Sequence, residues 1–131
     1  MSKRLTLPKK RRLTSNRQFK AVLDHGRRAG NSLLILYMAP NGCGYPRVGV
    51  SVGKSSGNAS VRNRLKRLLR EAFRQSQDRI PQDVDYVLII SPSLSRRLKK
   101  PEGGARVLAS LTFGQVRDAF LSLVQGENRT K

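Results

Sequence analysis

Fifteen residues, Ser60–Arg74, read SVRNRLKRLLREAFR and hold six cations against one carboxylate, Glu71. At about 100° per residue, a helix places Val61, Leu65, Leu68, Leu69, Ala72 and Phe73 on one broad apolar face. Lys66, Arg67, Arg70 and Arg74 cover the opposite arc, with Asn63 in its middle, and Arg62 and Arg64 flank the apolar stripe near the first turn. Such a helix buries one face and holds a rigid cationic ridge on the other. Arg62 and Arg64 stand where the helix dipole favours acids. A phosphate held at that end reverses the penalty, because free backbone N–H groups and both arginines then point at it. Ser60 is expected as the N-cap, and Gly57-Asn58-Ala59 before it leaves the approach open. A merely solvated basic helix would carry acids four residues from its cations, and only Glu71 is available. The chemistry read here is recognition of a phosphate backbone.

Other reactive side chains are few. His25 is the single histidine and Cys43 the single cysteine. A nucleophile–base pair made from them lacks an orienting acid, and His25 reads instead as the end of a first helix. The carboxylates are scattered, and a metal nuclease needs at least two that converge on its ions. Asp83 and Asp85, two apart, are the nearest to such a pair. Phe19, Tyr37, Arg47 and Lys54 suggest a second surface. Aromatic and basic residues on an open sheet face suit single-stranded RNA, by stacking worth ~1–3 kcal/mol per base. The competing reading of Phe19 and Tyr37 is ordinary packing of helix on sheet.

The rest of the chain agrees with an anionic partner. Its 131 residues suit one domain. Lys and Arg number 27 against 8 acids, a formal net charge of +19. Self-repulsion on that scale opposes compaction, and a polyanion relieves it while releasing counterions. Arginine outnumbers lysine two to one, which favours forked phosphate contacts over plain solubility. Residues 1–20 hold eight cations and no acid. No run reaches the ~18 apolar residues of a membrane span. The basic start lacks the apolar core of a secretory signal. A cytoplasmic protein with no membrane partner is expected.

Residues 1–13 read as a flexible basic arm, 14–126 as a single RNA-binding domain and 127–131 as a polar tail. Ser15 and Gln18 make a capping box for a helix striped by Phe19, Val22 and Leu23 and ended by Gly26. Leu33–Met38 and Arg47–Val52 read as strands, with a turn at Gly42 and Gly44 between them. The short connection predicts that these two pair antiparallel. Gly49 leaves room for another chain to come close. The basic helix is expected from Val61 to about Gln77, then a buried strand Asp85–Ile90. Thr112 and Gln115 cap a last helix striped by Phe113, Val116, Phe120, Leu123 and Val124. A short extra strand is placed near Arg27–Gly30. The resulting fold class is α+β, an α/β sandwich of order α-β-β-β-α-β-α with a four-stranded, mostly antiparallel sheet.

Four segments carry a resemblance: RRLTSNRQFKAVLDHG (Arg11–Gly26), LLILYM (Leu33–Met38), RVGVSVGKSSGNASVRNRLKRLLREAFR (Arg47–Arg74) and DYVLIISP (Asp85–Pro92). With Arg62-Asn63-Arg64 embedded in the third, the chain resembles the protein subunit of bacterial ribonuclease P over essentially its whole length. The resemblance implies a ribonucleoprotein that removes the 5′ leader from precursor tRNA. It implies catalysis in the RNA subunit, with Mg²⁺ at the RNA active site and no catalytic residue in the protein. Its partners would be the catalytic RNA and precursor tRNA, with no obligate protein partner. Arg62, Asn63, Arg64, Lys66, Arg67 and Arg70 would bind the catalytic RNA. Phe19, Tyr37, Arg47 and Lys54 would line the cleft for the single-stranded leader. The resemblance also implies a left-handed crossover around the basic helix, where chain physics favours a right-handed one. The chain departs from the family at Leu23, where a second aromatic is common, and at Ser55, where a second Lys is common. Leu98–Ser110 is longer than the family pattern, and its Lys99, Lys100 and Arg106 suit either an insertion that touches RNA or a disordered loop. The alternative function is a non-catalytic basic RNA-binding protein of the ribosomal or assembly-factor type.

Overall fold

The computed structural model describes residues 9–100 and 103–126. Helix α1 (Asn16–His25) is followed by β1 (Arg27–Gly30), β2 (Leu34–Pro40) and β3 (Arg47–Ser51). Then come α2 (Ala59–Gln75), β4 (Val84–Ile90), α3 (Pro92–Lys99), α4 (Gly104–Ser110) and α5 (Phe113–Gln125). The sheet order is β1-β2-β4-β3. β1–β2 and β2–β4 are antiparallel, and β3–β4 is parallel.

The strand order corrects one expectation. β2 and β3 are not paired, because β4 lies between them. Tyr86, Val87 and Leu88 of β4 are fully buried, so this strand is apolar on both faces and takes the centre. The loop from β2 to β3 instead wraps the start of β4. Asn41 N–H donates to the Asp83 carbonyl at 2.9 Å, and Asn41 Nδ2 donates to Asp85 Oδ1 at 2.8 Å. Gly44 N–H donates to Asp83 Oδ1. Gly42 and Gly44 take φ of 67° and 83°, where a side chain would be strained.

The alternation of β4 divides the interior in two. Tyr86, Leu88 and Ile90 face the larger core, with Leu65, Leu69, Ala72 and Phe73 of α2 and Val116, Phe120 and Leu123 of α5. At its centre the rings of Phe73, Tyr86 and Phe120 meet pairwise, with centroids 5.8–6.2 Å apart. Each such pair adds ~0.5–1.5 kcal/mol beyond area burial. Tyr86 Oη donates to the Pro81 carbonyl at 2.8 Å, and burial raises its hydroxyl pKa. On the opposite face Val87 and Ala39 pack with Val22 and Leu13, with Phe19, Tyr37 and Ile89 half-buried around them.

Local signals mostly act as read. Both capping boxes, Ser15 with Gln18 and Thr112 with Gln115, are formed. The α2 cap is Asn58 rather than Ser60: Asn58 Oδ1 accepts from Val61 N–H at 3.0 Å, so the helix starts two residues earlier than expected. Gly26 ends α1 with an ordinary φ of −82°. Its need for glycine is contact, since a Cβ there would lie 2.4 Å from the Val22 carbonyl oxygen. Leu23 leaves the α1 stripe and is 41% exposed.

Two segments differ more. Lys9–Arg11, assigned from the sequence to the arm, form a 3-10 turn, and Leu13 is buried. Leu13 N–H donates to the Val48 carbonyl at 2.8 Å, and Lys10 and Arg11 lie over the Tyr45 ring. This docked stretch shields the outer edge of β3. Within Ser91–Ser110 the chain forms two helices, α3 and α4, that the sequence did not reveal. Ser91 Oγ caps α3 by accepting from Leu94 N–H, and Leu94 and Leu98 enter the larger core.

Candidate nucleic-acid interface

The apolar stripe of α2 fixes where its cations go. Leu65, Leu69, Ala72 and Phe73 are buried, so Asn63, Arg64, Arg67 and Arg70 are held exposed on the outer arc, with Lys66 half-exposed beside them. Arg62 is drawn in: it is half-buried, and its Nε is buried without a hydrogen-bond partner. No carboxylate stands in the first turn. Among the described residues, no ion pair engages Arg64, Lys66, Arg67 or Arg70.

Arg74 is different. Its guanidinium donates from Nε and Nη2 to the two Glu71 oxygens, and Gln75 Nε2 adds a third donor at 2.7 Å. The Arg74 bonds first, then the Gln75 bond, hold the Glu71 carboxyl down at about 2. The ridge's single acid is thereby turned toward Arg74 and leaves the other cations uncompensated.

Helix α5 widens this surface in a way the sequence reading missed. A shallow depression of about 340 Å³ lies between Arg64, Arg67, Leu68 and Glu71 of α2 and Phe113 of α5. Arg117 stacks its guanidinium 5.6 Å from the centre of the Phe113 ring. The i, i+4 spacing of Phe113 and Arg117 is visible in the sequence, but their neighbourhood to α2 is not.

The second predicted group lies on the other face of the sheet. Residues paired across strands share a face. Arg28, Tyr37, Val87 and Gly49 therefore form one row, and Gly30, Ile35, Ile89 and Ser51 the next. Phe19 of α1 lays its ring on Gly49, and Tyr37 is half-buried in the same cluster, so both carry the packing role and keep an exposed part. Arg28, not singled out from the sequence, is exposed directly beside Tyr37. Lys54 is exposed in a 3-10 turn, Lys54–Ser56, beyond the end of β3. Arg47 is not brought into this group as a free cation. Its Nε and Nη2 donate to the two Asp85 oxygens at 2.7 and 2.8 Å, and that bond is the main cause of its raised pKa.

Asp83 and Asp85 serve the loop and Arg47. Among the described residues no group of three His, Cys, Asp or Glu side chains is placed to hold a metal ion. Among the described residues, then, no side-chain cluster fits the Mg²⁺ that the resemblance implies. Cys43 is a free thiol in the loop, and His25 is the exposed last residue of α1. No single helix among the described residues is long and apolar enough to cross a membrane. Helices α4 and α5 are long and apolar enough only when taken together, but they meet at a 77° bend, and Val116, Phe120 and Leu123 are committed to the core.

Fold and surface together define a basic α+β sandwich suited to a polyanionic partner. The family model for ribonuclease P matches residues 7–102. The chain is 37% identical over 114 residues to the ribonuclease P protein component of Alkaliphilus metalliredigens, covering 87% of this chain and 90% of that one. It is 38% identical to that of Syntrophus aciditrophicus, over 71% of this chain and 78% of the relative. The RNase P protein from Thermotoga maritima superposes with a TM-score of 0.73 at 30% identity, covering 88% of this chain and 96% of its own. The chain belongs to the ribonuclease P protein family. That membership decides between the two functions left open by the sequence: this is a protein subunit of ribonuclease P, not a ribosomal or assembly-factor protein.

Proposed function

We propose that this subunit grips two RNAs with two faces while the RNA subunit performs the cleavage. The α2 ridge, at Asn63, Arg64, Lys66, Arg67 and Arg70 with Arg62 at its base, packs on the catalytic RNA. The α1–sheet face, at Phe19, Tyr37 and Lys54, holds the single-stranded 5′ leader of precursor tRNA. Arg47 supports that face through Asp85. The RNA of the assembled enzyme would hold Mg²⁺, which would supply activation of the attacking water, and the enzyme works in the cytoplasm.

The observation that carries this reading is the separation of the two surfaces by the sheet. The ridge stands over the larger core, and the aromatic face lies on the opposite side of β4. One protein can therefore neutralise one RNA and hold a segment of another without competition between them. Recognition is of phosphates, shape and unpaired bases rather than of a duplex code.

The test is 5′ cleavage of a labelled precursor tRNA at low Mg²⁺, with protein alone, cognate catalytic RNA alone, and both. Cleavage at the mature 5′ end only in the combined reaction is the expected result. Cleavage by protein alone, or no stimulation by folded protein, overturns the proposal.

A further inference from the structure

The side of α2 that turns toward α5 mixes two chemistries. Arg64, Arg67, Leu68 and Glu71 follow i, i+3, i+4, i+7 spacing, so they share one side of the helix. Leu68 lies half-buried between the core face and the ridge. Opposite stands Phe113, the first residue of α5, in a place fixed by the start of that helix. Thr112 Oγ1 accepts from Gln115 N–H at 3.2 Å, Gln115 Oε1 accepts from Thr112 N–H at 3.0 Å, and Leu111 before them is buried. Phe113 itself stays half-buried and lines, with Leu68, the depression of about 340 Å³ between the two helices. Arg117, paired with Asp118 Oδ1 at 3.2 Å, lies over the Phe113 ring and restrains it.

The lining decides what kind of group fits. Leu68 and Phe113 suit a flat, uncharged ring and offer a phosphate nothing. The Glu71 carboxylate at the rim only accepts hydrogen bonds, and it is already held by Arg74 and Gln75, so it offers no place to an anion either. Arg64 and Arg67 are exposed at the edge, and no ion pair among the described residues engages them. They attract phosphates there. An apolar centre with a cationic edge matches one nucleotide whose base turns in and whose phosphates stay out. Such a base is unpaired, because a base inside a duplex has no free face to offer.

We propose that the depression between α2 and α5 receives one unpaired base of the catalytic RNA, stacked on Phe113 beside Leu68, with the adjoining phosphates on Arg64 and Arg67. The site rests on the reading that the α2 ridge packs on that RNA. It adds discrimination to a contact otherwise made by charge. Arginines on phosphates hold any stretch of backbone, whereas a recess that takes a base fixes where along the RNA the ridge can sit.

The experiment measures binding of the full-length protein to the cognate catalytic RNA over a range of salt. Wild type is compared with Phe113→Ala, with Phe113→Tyr, which keeps the aromatic face, and with Arg64→Glu/Arg67→Glu as the reference for the ridge. Phe113→Ala should bind about five-fold or more weakly, the cost of one lost base–aromatic stack. Its log K should fall with log salt in parallel with wild type, because no phosphate contact is lost. Phe113→Tyr should bind as wild type does. Leu68→Gln alters the facing wall without touching the ring and should give a parallel loss, so it carries the test if Phe113→Ala melts below the assay temperature. Wild-type affinity in the folded variants of both walls overturns the site and leaves the ridge standing. A shallower salt slope in them also overturns it, because the loss would then pass through the arginines. Equal loss in Phe113→Tyr and Phe113→Ala overturns the stacking. If Arg64→Glu/Arg67→Glu keeps wild-type affinity, the ridge reading fails and takes the site with it.

Discussion

The Phe19 ring lies flat enough on Gly49 that a Cβ at that glycine would stand 2.5 Å from Phe19 Cζ. Glycine is needed there because a ring occupies its side-chain space, not because its backbone is unusual. Gly49→Ala should push the ring off β3 and cost about 1–2 kcal/mol by overpacking, since the ring edge is free to swing. Chemical denaturation reads the cost, and leader affinity in the holoenzyme should fall with it. Unchanged stability would mean the ring does not rest on the strand.

Charge reversal at Arg64 and Arg67 should separate binding from folding. Both side chains are exposed, and no ion pair among the described residues engages them. The free protein should melt within about 0.5 kcal/mol of wild type. Affinity for the catalytic RNA should fall at least ten-fold, with a salt slope shallower by roughly 1.8 if two duplex phosphates are lost. Equal affinity at low and high salt would exclude the ridge from that contact.

Asp85→Asn tests the pair beneath the α1–sheet face. The Asp85 side chain is 9% exposed and that of Arg47 21%, so the substitution leaves a largely buried guanidinium without its counter-charge. Breaking such a pair costs ~3–5 kcal/mol when fully buried, and the partial exposure of Arg47 favours about 3. Urea unfolding measures it. A loss below about 1 kcal/mol would class the pair with solvent-screened surface bridges.

Glu71 gives a pH dependence of known sign. Its carboxyl titrates at about 2 in the folded protein, below the ~4.3 of an unfolded glutamate. The stabilisation is complete above about pH 4.3 and is lost as pH falls toward 2. The side chain is 40% exposed, so screening keeps the effect under about 1 kcal/mol. Melting curves of wild type and Glu71→Gln at low salt should converge over that window. Divergence toward acid would refute the assignment.

Features encoded by near neighbours were legible in the sequence. The Ser15–Gln18 and Thr112–Gln115 boxes and the division of α2 into buried and cationic faces need only local spacing. What the sequence could not show depends on long-range pairing. β2 and β3 look like a hairpin until β4, buried on both faces, claims the space between them. Arg47 looks like a free cation until register sets it opposite Asp85. Leu23 fits the α1 stripe until packing turns it outward. Helix α3 was hidden because its two core residues are separated by basic ones, so its period was too short to stand out.

The position of β4 also has a consequence for how the chain is made. Residues preceding Val84 contain β2 and β3 but not the strand that joins them, so a growing chain emerging from the ribosome carries open strand edges on both and all of α2's charge before its sheet can close. Closure inserts β4 between segments already synthesised, a long-range event that is slow relative to helix formation. Repulsion among the early cations keeps such unfinished chains apart during that interval. The high charge thus acts twice, first as a guard against self-association in the nascent protein and afterwards as its grip on RNA.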